Sequence, residues 1–513
     1  KWGNRRKAQV FGVYVVLLKS KIIITFSGFL ISAVCNFTVL FLLTNNISST
    51  DLGRFFWALA LIGLTGISTG IDTTHVKKYS DDFNPDKLAV FLFCKFILSL
   101  LPLIVSYLIF TGFILDLKGS QISKVILILG LMNFTQRIYT FFSATYTALG
   151  KVAIRESMHM SQSFSKLFGV LCLIYYFGAE LTNVSYVYLL SSIVPLIIGY
   201  YFFKNDILGS LTLDNLKDYV SFAFPLFLSE GLTSIFQRLD KLIVVYFFSY
   251  GLLSVYVVCL SLVNLLKFLN KTLSLTAFPK INSSLNSEDF NQAQSIFSKT
   301  NYILLLFVNI SLFMVILFSD EILLRVYGTT YSEGSTLFIL LYFSFALRLL
   351  SITGSWLLLS RDKQYLLSKI EISRILSIIT LMLFLLQSKM VDPYLSLGLS
   401  WLISNFFYLF LCLKFSSQDK KISIISGFNF KMLFIGISPS VVLICLQSFY
   451  DFSFYQYLIV FMSFIFYWLL ISYFNLINNK LIFGIFNALN FYKLFGYIKE
   501  EVKSWVTEKY SFP

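Results

Sequence analysis

The sequence predicts an all-α polytopic membrane protein of about fourteen spans, and three observations carry that prediction. Of 513 residues, 57% are hydrophobic and 13% charged, where an ordinary soluble chain is about a quarter charged. Mean hydropathy is +0.77, and 57 Phe and 30 Tyr present more apolar surface than a water-soluble fold of this size can hide. The apolar residues also fall into runs that match the roughly 20 residues a helix needs to cross a bilayer. A soluble enzyme, a disordered chain and a nucleic-acid partner inferred from the net charge of +15 are thereby excluded.

Taken in order, the spans are expected near residues 22–44, 53–75, 88–113, 124–147, 154–177, 184–203, 219–248, 252–276, 301–319, 335–359, 365–388, 394–414, 431–449 and 455–475. Residues 1–21 read as a cytoplasmic amphipathic start. Spans one to six (22–203) and seven to twelve (219–414) form two groups, joined by a cytoplasmic linker over 204–218. Spans thirteen and fourteen (431–475) are an appendage, and 476–513 mixes aromatics with Lys and Glu as an interfacial helix does. The longest connection, about 277–300, is too short for an extramembrane domain. No cleavable signal peptide is expected, because the first apolar run is long enough to span.

Basic residues alternate between the two sides. With the start placed in the cytoplasm, the loops and ends on that side hold 28 of the 41 Lys and Arg. The opposite loops hold only Arg54, Lys118, Lys124, Arg325 and Lys389. The positive-inside rule predicts this imbalance. It implies an even span count, two cytoplasmic ends and, with the richness in Phe, Ile, Asn and Lys, a bacterial cytoplasmic (inner) membrane.

Eight basic residues remain inside spans: Lys95, Arg137, Lys166, Arg238, Lys241, Lys267, Arg348 and Arg374. The acids there are Glu230, Asp240 and Glu371, with Asp72 near a cytoplasmic end. Each charge at a helix centre costs about 2.5–3.5 kcal/mol even on the lenient insertion scale, so a cationic surplus at depth requires a reason. Asn133, Arg137 and Thr140 follow i, i+4, i+7 and share one helix face. Ser344, Arg348, Ser351 and Ser355 repeat the pattern, as do Arg155, His159, Gln162 and Lys166. The eighth span offers Asn264, Lys267 and Lys271. At 1.5 Å per residue, Arg137, Lys166 and Arg348 sit roughly 20 Å into their spans. Lys95, about seven residues inside the cytoplasmic edge, is expected to snorkel to the surface.

Metal chemistry is not expected. The six Cys lie singly inside apolar runs and only His75 and His159 are present, so no zinc-ligand spacing exists. The two halves repeat features in the same order: NNISSTDLGRFF and FFSYGLLSVY precede spans two and eight, and TYTALGK and LLLSRDK follow spans four and ten. Six spans followed by six, both entering from the cytoplasm, is a parallel repeat that builds a site between halves.

On FQRLDKLIVVYFF (Asp240), the SYGLLSVY turn, AFPKI (Pro279) and ILLRVYGTTYSEG (Gly328, Tyr331), the chain resembles the polysaccharide-transporter branch of the multidrug/oligosaccharidyl-lipid/polysaccharide (MOP) superfamily, the Wzx-type O-antigen flippases. Family turns usually carry Gly where this chain has Leu253. The resemblance implies transport rather than catalysis, and two six-helix bundles in a V that open alternately to each side. The implied cargo is an oligosaccharide on undecaprenyl pyrophosphate, the repeat unit of O-antigen or another surface polysaccharide.

That cargo suits the residues. A pyrophosphate cannot cross hydrocarbon unpaired, and Arg bonds two phosphate oxygens at once where Lys acts as a point charge. Arg137, Lys166, Arg348, Arg374, Lys267 and Lys241, with Asn133 and Ser351, are therefore the expected pyrophosphate and glycan contacts. Glu230, Asp240 and His159 are candidates for coupling to a proton or a sodium ion, and no other cofactor is expected. The expected partners are the lipid-linked oligosaccharide and membrane lipids, with a polysaccharide polymerase and chain-length proteins, and the chain is expected to act as a monomer. Three other readings stay open. A lipid II flippase differs mainly in glycan. A multidrug exporter should carry an acidic cavity for its cationic cargo. A membrane polymerase or ligase should carry long outer loops, which this chain lacks.

Overall fold

The computed structural model describes residues 2–416, less the short segments 66–68, 82–83, 116, 118, 204–208, 362 and 389–391. Spans thirteen and fourteen and the segment 476–513 lie outside the described residues. Among the described residues the chain is helical and has no strand.

The helices are α1 (Trp2–Asn46), α2 (Ser49–Leu64), α3 (Thr69–Asp81), α4 (Pro85–Phe110), α5 (Gln121–Ala148), α6 (Val152–Cys172) and α7 (Leu181–Phe203) in the first half. In the second they are α8 (Leu213–Phe247), α9 (Tyr250–Val263), α10 (Lys267–Thr276), α11 (Phe278–Asn286), α12 (Phe290–Tyr327), α13 (Thr329–Ser332), α14 (Ser335–Leu350), α15 (Ile352–Ser360), α16 (Gln364–Ser388) and α17 (Pro393–Ser416). Helix falls on every one of the first twelve predicted spans. Three of those spans are divided: the second into α2 and α3, the eighth into α9 and α10 around a 3-10 turn at Asn264–Leu266, and the tenth into α14 and α15. The fifth ends in a single π turn, Leu173–Phe177. Among the described residues, eight stretches are long and apolar enough to cross a membrane by length and composition. The chain is a multi-pass membrane protein.

Local chemistry sets the boundaries. Ser48, Ser120, Thr212 and Ser249 each accept a backbone N–H of the first turn that follows, which satisfies a donor the helix itself cannot. Asn84 does the same ahead of Pro85, whose missing N–H costs nothing at the first helical position. The Thr212 cap starts α8 six residues earlier than the predicted span, so the end of the expected linker 204–218 is helix. The expected long connection at 277–300 is likewise occupied by α11 and the first turns of α12.

Within the first half α5 packs on α4 and α7, and α6 packs on α1 and α7. Within the second α14 packs on α12 and α17, and α16 packs on α17. Close approach relies on small residues, as expected where lipid supplies no hydrophobic drive between helices. Gly130 of α5 lies on Ser106 of α4, where a Cβ would collide with the Ser106 hydroxyl. Each half has its own apolar core, one including Phe55, Val125 and Leu129, another Leu253, Tyr256 and Leu341. The halves meet where α2 packs on α8 and α9, and α3 on α8.

One expectation fails here. Lys95 does not snorkel; it is 0% exposed. Its ammonium ion-pairs with Asp72 at 2.5 Å and donates to Thr140 Oγ1 at 3.1 Å. Asp72 reaches it from α3, so the pairing depends on a neighbour that helix position alone does not reveal.

Candidate functional site

A cavity of about 1110 Å³ separates the two halves, somewhat larger than the roughly 300–1,000 Å³ of drug-sized ligand sites. Its first wall is α1, through Phe29, Ser32, Asn36 and Leu40, with Phe56 of α2 and Tyr188 of α7. The opposite wall is the broken eighth span, through Ser261, Asn264, Lys267 and Asn270, and the broken tenth, through Arg348, Ser351, Ser355 and Trp356. The breaks have a consequence: the 3-10 turn ends at Leu266, and Lys267 lines the cavity as the first residue of α10.

The two lobes touch at the end where α1 meets α2. There a Cβ on Gly53 would collide with the Tyr250 carbonyl oxygen, so α2 touches the start of α9 backbone to backbone. Arg54 lies over the Tyr250 ring at 5.8 Å, and Trp57 meets the same ring edge-on. Asn45 donates to the Val326 carbonyl of α12 at 3.1 Å. At the other end the lining runs down to Ser274 and Leu359, next to the predicted cytoplasmic loops.

Electrostatics distinguishes the walls from their backing. Lys267 and Arg348 are the charged residues of the lining, and no acid faces the cavity among the described residues. Behind Arg348 stands a compact cluster. Arg348 Nη2 donates to Glu371 Oε1 at 2.8 Å, and Arg374 Nη2 donates to the same oxygen at 2.6 Å. Arg374 Nε reaches the other carboxylate oxygen at 3.2 Å, and its Nη1 donates to Asn405 at 3.4 Å. The Arg348 side chain is 33% exposed and that of Arg374 2%. One carboxylate thus holds two guanidinium groups, one facing the cavity and one sealed in the lobe.

The expected contacts divide accordingly. Arg348, Lys267 and Ser351 line the cavity, although the Ser351 hydroxyl already donates to the Arg348 carbonyl at 2.6 Å. Lys166 stands at its margin, donating to Asn36 at 3.0 Å and lying 4.8 Å from the Tyr188 ring centre. Arg374 is a backing residue, and Lys241 is ion-paired with its neighbour Asp240 at 3.1 Å. Arg137 is buried on α5 away from the cavity lining, as is the half-buried Asn133. Among the coupling candidates, Asp240 also accepts the Tyr256 hydroxyl at 2.8 Å, and His159 is hydrogen-bonded to the Tyr139 hydroxyl. The Glu230 side chain lies outside the described residues. Asn36 and Tyr408 also line the cavity and are not among the contacts expected from sequence. Their signal is faint, because single amides and phenols recur throughout such spans.

A family model described as "Polysaccharide biosynthesis protein" matches residues 47–336. The chain belongs to this family. The match spans α2 to the start of α14 and so takes in parts of both lobes. It includes Arg137, Lys166 and Lys267, whereas Arg348, Glu371 and Arg374 lie beyond it. No curated protein matches the chain in sequence. Solved structures share the fold of this polysaccharide biosynthesis protein. A lipid II flippase, MurJ, in an inward closed conformation superposes with a TM-score of 0.65 at 18% identity, covering 87% of this chain and 100% of that one. An inward-facing multidrug-resistance MATE transporter of the MOP superfamily gives 0.62 at 12% identity, covering 76% and 96%. An outward-facing MATE transporter gives 0.54 at 15%, covering 80% and 96%. The sequence match shows the family, and the solved structures show the fold that goes with it.

Proposed function

We propose that this protein is a flippase that carries an undecaprenyl-pyrophosphate-linked oligosaccharide from the cytoplasmic to the outer leaflet by alternating access. The observation that carries the reading is the cavity wall, which offers two cations and no acid among the described residues. An anionic headgroup finds complementary charge there, and the cationic cargo of a multidrug exporter would be repelled. Arg348 presents a planar fork to a phosphate, and Glu371 orients it from behind without entering the cavity. Lys267 supplies a second positive charge on the same wall, while Asn36, Asn264 and Ser355 offer partners for sugar hydroxyls.

The family match to polysaccharide biosynthesis favours a polysaccharide repeat unit over lipid II. Because the basic loops mark the cytoplasmic side, the cavity as it stands faces the cytoplasm. The contacts of Gly53, Arg54 and Trp57 with Tyr250 close the outer side. This is the loading state. Rocking of the lobes would break those contacts and release the cargo outside. Asp240 and His159 are the proposed carriers of a coupling proton or sodium ion. Both are hydrogen-bonded in the loading state, so coupling would begin with the loss of those bonds.

The test is a flipping assay in proteoliposomes with a fluorescent polyprenyl-pyrophosphate oligosaccharide whose outer-leaflet fraction is read by dithionite quenching. Wild-type protein should move the lipid, and the Arg348→Gln, Lys267→Gln double variant should not. Equal rates for the two, at equal reconstitution, would defeat the reading.

A further inference from the structure

At the cytoplasmic end of the second predicted span, His75 of α3 is 0% exposed. Its ring stacks on Phe91 of α4, with 3.8 Å between centres and 9° between planes, and on Tyr79 at 5.0 Å and 17°. The Thr145 hydroxyl of α5 lies 3.3 Å from His75 Nε2. That hydroxyl gives its one hydrogen to the Phe141 carbonyl at 2.9 Å, so it accepts from His75, which places the imidazole proton on Nε2. Nδ1 then carries a lone pair that is buried and without a hydrogen-bond partner among the described residues. The pocket is completed from the second half. Tyr219 of α8 faces Phe91 at 6.4 Å and donates to the Ile71 carbonyl of α3 at 3.4 Å. Ile71, Tyr79, Phe91, Tyr219 and Ala223 share one apolar core.

The charged and titratable groups around this ring come from four helices. On α3 they are Asp72 and Tyr79, with the Lys78 ammonium 6.0 Å from the Tyr219 ring centre. On α4 they are Cys94 and Lys95, on α5 Arg137, whose charge acts on Asp72 and Lys95, and on α8 Tyr219. Asp72, the one carboxylate among them, is ion-paired with Lys95, whose ammonium lies 5.8 Å from the centre of the Phe91 ring that His75 stacks on. We propose that His75 is a proton-binding site that governs the packing of α8 on the first lobe. With the ring neutral, α3, α4 and α8 close over it. A proton from water adds to the Nδ1 lone pair and makes an imidazolium, whose new N–H and charge find neither an acceptor nor an unpaired carboxylate in the closed pocket. The proton is held once α8 moves off and water enters. The closed state therefore binds fewer protons than the open one, so the packing is at full strength above the ordinary imidazole value of about 6.5 and weakens as pH falls through it. Because α8 begins the second half, its release frees that lobe to rock, and this consequence alone rests on the flippase reading.

The experiment uses the full chain in lipid nanodiscs, with no added histidine and no cargo. Nitrogen-15 NMR of histidine-labelled protein at about pH 7.5 should show His75 as the neutral Nε2–H tautomer. Hydrogen–deuterium exchange over residues 213–223 of α8 is then followed from about pH 7.5 to 5.5 and corrected for the intrinsic exchange rate. The opening measured in this way should rise about tenfold in the wild type, the response of one proton with a midpoint near 6.5. It should stay level in His75→Gln. His159→Gln should keep the rise; the chain has two histidines, so this variant leaves His75 as the sole imidazole and carries the test if His75→Gln fails to fold. A level wild-type profile, a rise that persists in His75→Gln or one that vanishes in His159→Gln would overturn the proposal. So would an imidazolium signal from His75 at the higher pH. Because no cargo is present, the two readings fail separately: a level exchange profile removes the His75 site alone, and absence of flipping in the proteoliposome assay removes the flippase reading alone.

Discussion

Glu371→Gln should destabilise the protein more than the loss of one hydrogen bond would suggest. The Nη2 atoms of Arg348 and Arg374 both lie on one carboxylate oxygen, at 2.8 and 2.6 Å, so they are at most 5.4 Å apart, the sum of the two distances. At an effective dielectric of about 20, unit charges at that separation repel by about 3 kcal/mol. In the native cluster Glu371 offsets this. The substitution would leave Arg374, 1% exposed, without its counter-charge, and breaking such a buried pair typically costs about 3–5 kcal/mol. In a chain of this size that lowers the thermal midpoint by about 3–5 °C. Arg348→Gln should behave differently. Glu371 keeps Arg374, and the lost partner is one-third exposed, so stability should fall by no more than about 1 kcal/mol while flipping is lost. The double variant Arg348→Gln, Glu371→Gln should then melt above Glu371→Gln alone, because the repulsion disappears. Differential scanning fluorimetry of the purified variants gives the cycle. Glu371→Gln melting with the wild type, or a strictly additive double variant, would refute the reasoning.

Two further outcomes follow from the packing. Gly53→Ala places a methyl group against the Tyr250 carbonyl oxygen, and overpacking of this kind costs about 1–3 kcal/mol. The loading state should lose that amount, so a cysteine introduced at Asn36 should become more reactive toward a membrane-impermeant maleimide from the outer side. Lys95→Met removes the fully buried partner of Asp72 and should cost about 3–5 kcal/mol. Membrane abundance of Lys95→Met should fall, and Lys95→Met with Asp72→Asn should restore part of it.

The helical spans are legible in the sequence because the signal that marks them, a run of apolar residues as long as the bilayer is thick, is local. Polar seams are also legible, since residues at i, i+4 and i+7 share a face whatever surrounds the helix. The Ser344, Arg348, Ser351 and Ser355 seam does lie at the cavity or directly behind it: Arg348, Ser351 and Ser355 line it, and Ser344 accepts from Asn405 at 2.6 Å. What a seam faces is not legible. Asn133, Arg137 and Thr140 form an equally good stripe, yet Thr140 accepts from Lys95, and Arg137 is buried away from the cavity lining. The burial of Lys95 is hidden for the same reason: depth argues for snorkelling, and only the approach of α3 supplies Asp72.

The placement of acids explains how such a protein can concentrate positive charge without falling apart. A transporter for an anion needs cations that are exposed to cargo but stable when empty, and these demands conflict. Carboxylates in the cavity wall would stabilise the empty state and repel the phosphate. Glu371 instead sits behind Arg348, where one of its oxygens accepts from both the cavity-facing guanidinium and the buried one and its other oxygen from the buried one alone. Arg348 is thus held in place while its remaining N–H groups stay available to a ligand. Asp72 serves Lys95 in the first lobe, and Asp240 serves Lys241 in the second. Each lobe is braced by acids set back from the cavity, and Lys267 and Arg348 are left on its wall.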